Sequence, residues 1–278
     1  MEVFLLKISR LGHAMYVLKS KTEKKYLIDP FFDLNPGFPP HLDTADFYQS
    51  IDCVFLTHGH FDHTSGLMKL VEHKPDVMIV AQYELALILL KQGMKNVLPI
   101  NLGGSVSFED VAVTMVQAKH TSSYGETQGP PVYAGEAAGY IFDFKDDYTV
   151  YHSGDTALMY DMKLIQDVYE PDIAILSSSG HFTMGPKEAA YAVKKLLNVK
   201  YVIPSHTFPT NETAASPESL TQLLKAFPVV DFMIDKDKEL KELLKDYSQT
   251  AVITLAYGEE REFDHSLWSE VLVDKEFS

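Results

Sequence analysis

The chain of 278 residues has a single cysteine, Cys53, which rules out a disulfide framework within the chain and a thiolate-closed zinc site. Cys53 stands in the apolar run Ile51–Leu56, where a buried, inert thiol is expected. Nothing in this requires an oxidising compartment, and the cytoplasm is the expected location. Long hydrophobic runs are also missing: none approaches the ~20 residues of a membrane span. The opening stretch MEVFLLKISRLGHA has only a short apolar run with basic residues after it, so it does not read as a signal peptide. Positive charge is scarce as well. Twenty-four Lys and Arg stand against 39 Asp and Glu, a net charge of −15, with no basic cluster to offset it. Binding nucleic acid depends on Lys and Arg neutralising phosphates. The expectation is therefore no nucleic-acid partner, and a nuclease ranks last among candidate functions.

What is present suits a folded enzyme. A hydrophobic content of 46% and an aromatic content of 12% are enough for a large core and exclude disorder. Short β-rich runs are read at Val3–Ser9, Met15–Lys19, Lys25–Asp29 and Ile51–Thr57, and further on at Val77–Ala81, Val111–Gln117, Gly139–Phe144, Tyr148–His152, Asp172–Leu176, Tyr201–Pro204 and Ala251–Tyr257. Helices are read at Asp62–Leu70, Glu84–Gln92, Ala157–Val168, from Pro186 with Glu188 in its first turn, and at Pro217–Phe227 and Lys236–Asp246. The leucines at Leu85–Leu90 and Leu223–Leu224 are read as core. Strands cluster early and alternate with helices later, so the class is α/β, with two sheets between helical layers. Residues 35–50, a Pro/Gly-rich loop with Phe38, Phe47 and Tyr48, are long enough to line a pocket.

Four polar clusters follow apolar strands: His58-x-His60-x-Asp62-His63, then His120, Asp155 and His206. Strand ends gathered at one sheet edge can converge on one site. His58 and His60, two apart in extended chain, face the same way. Asp62 and His63 fall where the chain turns into a helix and can aim at a second point. Imidazoles and carboxylates without thiolate suit Zn, Mn or Fe. Two divalent ions about 3.5–4 Å apart could share a bridging carboxylate and a bridging hydroxide that attacks a carbonyl or phosphoryl centre.

Thr57-His58-Gly59-His60-Phe61-Asp62-His63 resembles the signature of the metallo-β-lactamase superfamily, and His120, Asp155 and His206 follow in that superfamily's order. Leu11-Gly12-His13-Ala14, Ile28-Asp29-Pro30-Phe31 and Gly180-His181-Phe182-Thr183-Met184-Gly185-Pro186 resemble one branch, the predicted metal-dependent hydrolases related to L-ascorbate-6-phosphate lactonase. The resemblance implies a four-layer αβ/βα sandwich of two mixed β-sheets. It implies one domain over 1–278, in two halves of about 1–145 and 146–260 plus a tail. It implies one metal held by His58, His60 and His120, a second by Asp62, His63 and His206, and Asp155 bridging them. Zn or Mn is expected, with Fe as a further option.

Asp62 is also a catalytic candidate, together with His181 as a general acid or substrate contact. His13 and Asp29 are expected to orient the ligands. His152 faces away from Asp155 by strand alternation and reads as structural, and His41, His73 and His265 read as surface residues. The expected function is hydrolysis of a small ester, lactone or phosphorylated metabolite, with a homo-oligomer compatible. The alternatives are a phosphodiesterase or phospholipase on the same scaffold, or a metal-binding or sensing module. The two helical runs after His206 look like an insertion, and specificity is expected in the loops at 35–50, 122–136 and 177–185.

Overall fold

The computed structural model describes residues 5–125 and 129–264. His265, part of the 122–136 loop and the first residues of the run read at Val3–Ser9 lie outside them. The first sheet is built from β1 (Lys7–Arg10), β2 (Tyr16–Lys19), β3 (Lys25–Ile28), β4 (Cys53–Phe55), β5 (Met78–Gln82) and β6 (Val97–Ile100). The second takes β7 (Ser105–Ser107) and β8 (Val111–Gln117). A small ribbon of β9 (Ser123–Tyr124) and β10 (Val132–Tyr133) stands apart. The second sheet continues with β11 (Ala138–Phe144), β12 (Thr149–His152), β13 (Ile173–Ser177), β14 (Tyr201–Ser205) and β15 (Ala251–Val252). The last strand, β16 (Glu260–Glu262), returns to the first sheet against β1. The orders are β16-β1-β2-β3-β4-β5-β6 and β15-β14-β13-β12-β11-β8-β7. Each sheet is antiparallel on one side and parallel on the other.

Strand alternation decides which residues fill which layer. On β13, Ile173 and Ile175 face the core between the sheets, while Ala174 and Leu176 face the outer helices. The inner core joins Ile8, Phe55, Tyr140 and Phe142 from both sheets. Outside the first sheet pack α1 (Ala45–Gln49), α2 (Phe61–Thr64), α3 (Leu67–His73) and α4 (Tyr83–Lys91). Outside the second pack α5 (Asp161–Tyr169), α6 (Pro186–Lys195) and α8 (Lys236–Leu244), with α7 (Pro217–Ala226) nearer the strand ends. This is the four-layer αβ/βα sandwich of two mixed sheets. Cys53 is buried in β4, where burial pushes its thiol pKa up. No helix among the described residues is long and apolar enough to cross a membrane.

Several elements differ from the sequence reading. The helix expected at Asp62–Leu70 is two, because Gly66 N–H donates to the Pro30 carbonyl at 2.9 Å instead of back along the helix. The 35–50 segment contributes no side chain to the cavity over the His and Asp clusters. Phe38 and Tyr48 are buried against Phe32, and α1 starts with the Thr44 hydroxyl capping Phe47 N–H. The last strand stops at Val252, and Glu260–Glu262, read as polar tail, pairs as a charged edge strand. Leu87 and Leu90 are exposed, so of these leucines Leu85 and Leu89 belong to the core, with Ala86 between them. The second sheet begins at Ser105, ahead of the half boundary expected near residue 145.

Candidate metal centre

The His and Asp clusters all leave strand ends at one edge of the sandwich. β4 delivers His58 and His60, and α2 begins at once and carries Asp62 and His63. β8 leads to His120, β12 to Asp155 and β14 to His206. Two glycines make the approach close enough. A Cβ on Gly59 would stand 2.7 Å from the Ser123 carbonyl oxygen, and one on Gly154, at φ +57°, would stand 2.2 Å from that of Ala138.

Eight side chains converge there. One group is His58, His60 and His120; a second is His13, Asp62, His63 and His206; a third, overlapping, is His58, His63 and Asp155. Within each, one donor atom per residue lies within 4.8 Å of the others. Asp155 Oδ2 sits between them, 2.9 Å from His206 Nε2, 3.5 Å from His63 Nε2 and 3.8 Å from His120 Nε2.

The rings are oriented from behind. Asp29 is fully buried and accepts hydrogen bonds from His63 Nδ1 (2.7 Å), Thr57 Oγ1 (2.6 Å) and Thr57 N–H (2.8 Å). Thr57 Oγ1 in turn lies 3.0 Å from His58 Nδ1, and Ser179 Oγ lies 3.0 Å from His206 Nδ1. Each contact turns an Nε2 inward, as outer partners of metal-binding histidines do. His13 sits 3.1 Å from Asp62 Oδ2 through Nε2, stacks on Phe208 and meets the rings of His63 and His206 edge-on.

The electrostatics follow from burial and charge together. Burial alone would raise the pKa of Asp155, but His206 and His63 hold it well below the usual carboxylate range. Asp62 is likewise held low against its burial, by His63 and His13. Burial works against the charged form of His206, yet Asp155 raises its pKa to about 9, and Asp155 and Asp62 raise that of His63 well above 6.5. Burial lowers His58 well below its ordinary value, His120 to a lesser extent, and His13 to about 4. Without metal the centre thus pairs two cationic imidazoles with two carboxylates. The donor set fits divalent ions on one observation above all: His63 Nε2 is buried, aimed between Asp62 and Asp155, and without a hydrogen-bond partner.

His181 is exposed, at φ +57°, with its ring stacked on Phe232 at 5.6 Å; the neighbouring Phe182 lines the cavity over the centre. His152 is buried at the end of β12 with its ring edge-on to Tyr16 at 5.8 Å and accepts from Gly154 N–H, and burial lowers its pKa to about 4. His41 and His73 are exposed. The sequence reading missed Thr57 and Ser179 as orienting groups. Thr57 stands inside the quoted signature, whereas nothing marks Ser179. It also missed the aromatic wall of the cavity, where Phe61 of the signature stacks on Phe227 at 4.9 Å.

Comparison with known proteins agrees with this fold. The model of the Beta-lactamase superfamily domain matches residues 24–207. A UPF0173 metal-dependent hydrolase of Koribacter versatilis is 42% identical over 213 residues, covering 75% of this chain and 88% of its own. One from Dinoroseobacter shibae is 38% identical over 240 residues, covering 86% and 100%. Among solved structures, a metallo hydrolase from Ignicoccus hospitalis superposes with a TM-score of 0.72 at 24% identity, covering 93% of this chain and 98% of that one. An isothiocyanate hydrolase from Delia radicum gut bacteria gives 0.66 at 22% identity, covering 93% and 99%, a likeness of fold. The chain belongs to the metallo-β-lactamase superfamily, alongside the UPF0173 metal-dependent hydrolases.

Proposed function

We propose that the chain is a hydrolase of a small uncharged or weakly charged metabolite, working with two divalent ions, Zn or Mn before Fe. His58, His60 and His120 would hold one ion, Asp62, His63 and His206 the other, and Asp155 would reach both. The buried Nε2 of His63 carries this reading: it is aimed between Asp62 and Asp155 at 3.7 and 3.5 Å, where a bound ion would replace long ion pairs by direct ligation. When bound, such ions supply a water of lowered pKa and a Lewis acid for a carbonyl or phosphoryl oxygen.

The chain's own residues do the rest. Asp29, Thr57 and Ser179 fix the ring orientations. Asp62 and Asp155 stay ionised at neutral pH, so they accept and do not donate. Phe31, Phe208 and Phe227 border the cavity and keep bulk water off the reacting centre. His181, stacked on Phe232 and next to the cavity-lining Phe182, would meet the substrate's outer end.

The test is turnover of an ester and lactone panel by Mn- and Zn-loaded protein. Activity falling at least about a hundredfold in Asp155→Ala and in His58→Ala supports the reading. Unchanged activity in both variants sinks it.

A further inference from the structure

The cavity above the metal centre, about 410 Å³, has two sides of different chemistry. Its floor is the His/Asp cluster. Its walls are aromatic and aliphatic: Phe61, Leu223, Phe227, Val229, Val230 and Met233, with only the Thr121 and Ser123 side groups adding polarity outside the cluster. No Lys or Arg lines it among the described residues. Most of this wall comes from the segment after His206. Leu223, Val230 and Met233 pack with Phe31 and Phe208 in one apolar cluster, and Phe227 stacks on Phe61, one residue before Asp62. The segment is therefore docked on the metal motif itself and shapes what can lie over it.

An anionic group placed away from the centre would meet this wall with no partner, and an unpaired buried charge is costly. A phosphodiester presents two oxygens that share a charge, so one would face the wall even with the other at the centre. A carbonyl presents one oxygen and no charge. A volume of this size takes a small organic molecule, and an apolar lining selects an apolar one.

We propose that the substrate is an uncharged carboxylic ester or lactone with an apolar acyl chain or aryl group, seated between Phe227, Val229 and Leu223 with its carbonyl over the His/Asp cluster. This rests on the hydrolase reading above. In the reaction the oxygen of water joins the acyl carbon and the acyl C–O bond breaks. One water proton goes to the alcohol oxygen, which in a lactone stays on the same molecule, the other goes to solvent, and the acid is left as its carboxylate. The phosphorylated metabolites of the wider expectation are thereby disfavoured.

The test uses metal-loaded protein and 4-nitrophenyl acetate, butyrate and octanoate, with a phosphorylated sugar lactone and a phosphatidylcholine vesicle as comparison substrates. Burial of each added methylene favours binding by up to about fourfold. The expected result is kcat/KM at least about tenfold higher for octanoate than for acetate. Phe227→Ala should shrink that ratio by opening the wall, and Val229→Trp should shrink it by filling the space. Both side chains are half-buried, so neither change empties the core. A flat chain-length profile, or preference for the phosphorylated lactone or the phospholipid, overturns the proposal while leaving a metal hydrolase standing. Octanamide binding to metal-free protein, followed by calorimetry, separates the two readings. Binding weakened by Phe227→Ala, with none of the substrates turned over, supports the apolar site and refutes the hydrolase reading. No octanamide binding overturns the proposal.

Discussion

Asp29 and His63 are joined by a 2.7 Å hydrogen bond between Oδ2 and Nδ1, with both side chains buried. The same carboxylate holds the backbone and hydroxyl of Thr57, the residue before His58. One side chain just after β3 thereby sets the ring of His63 and the start of the metal motif.

Replacing Asp29 by Ala removes that support. Metal affinity should fall by about 10–100-fold, as loss of an outer partner of a ligating histidine does. The measurement is competitive titration against a chromophoric chelator. Affinity within about twofold of wild type would show that Asp29 braces the loop alone.

Arg10 is fully buried and paired with Asp237 of α8, with Thr207 as a second partner and Tyr257 under its guanidinium at 4.5 Å. Asp237→Ala would strand this cation and should destabilise the fold by about 3–5 kcal/mol. Denaturant unfolding checks this. The double change Arg10→Met, Asp237→Ala should cost less than the single one.

Charge in the metal-free centre makes its stability depend on pH. Asp155 raises His206 to about 9 from an ordinary value near 6.5. That pair's stabilisation is complete below about pH 6.5 and is lost as pH rises through about 9. Metal-free protein should therefore lose thermal stability between about pH 7 and 10, read by calorimetry, and the loss should be smaller in His206→Gln, where only His63 keeps a raised pKa. Because binding displaces the same protons, metal affinity should rise over that window.

Burial of neutral His152, with its pKa lowered to about 4, has the opposite sign. Its contribution is complete above about pH 6.5 and is lost as pH falls toward 4, of order 3 kcal/mol in all. Replacing His152 by Gln should flatten that part of the acid limb in a pH series of unfolding curves.

The sequence showed where these groups come from more clearly than what surrounds them. Strand ends are readable because an apolar run stops abruptly at a polar residue, as at Leu56-Thr57 and Val202–Ser205. Pro186 marks its helix start because its fixed φ suits a first turn and Glu188 accepts from Gly185 N–H. β6 was missed because Pro99 interrupts a half-exposed strand, and β16 because Glu260-Arg261-Glu262 has no apolar face. The aromatic wall was unreadable for another reason. Phe61 and Phe227 are distant in the chain and meet only when α7 folds over the strand ends. Phe38 and Tyr48 carry the same residue types and went to the core instead.

The two-ion reading is tested most directly by diffraction from crystals grown with Mn or Zn, with anomalous data collected above the metal's absorption edge. The expected result is two peaks, one amid His58, His60 and His120 and one amid Asp62, His63 and His206, with Asp155 reaching both. A single peak in an active preparation, or peaks away from these side chains, contradicts it.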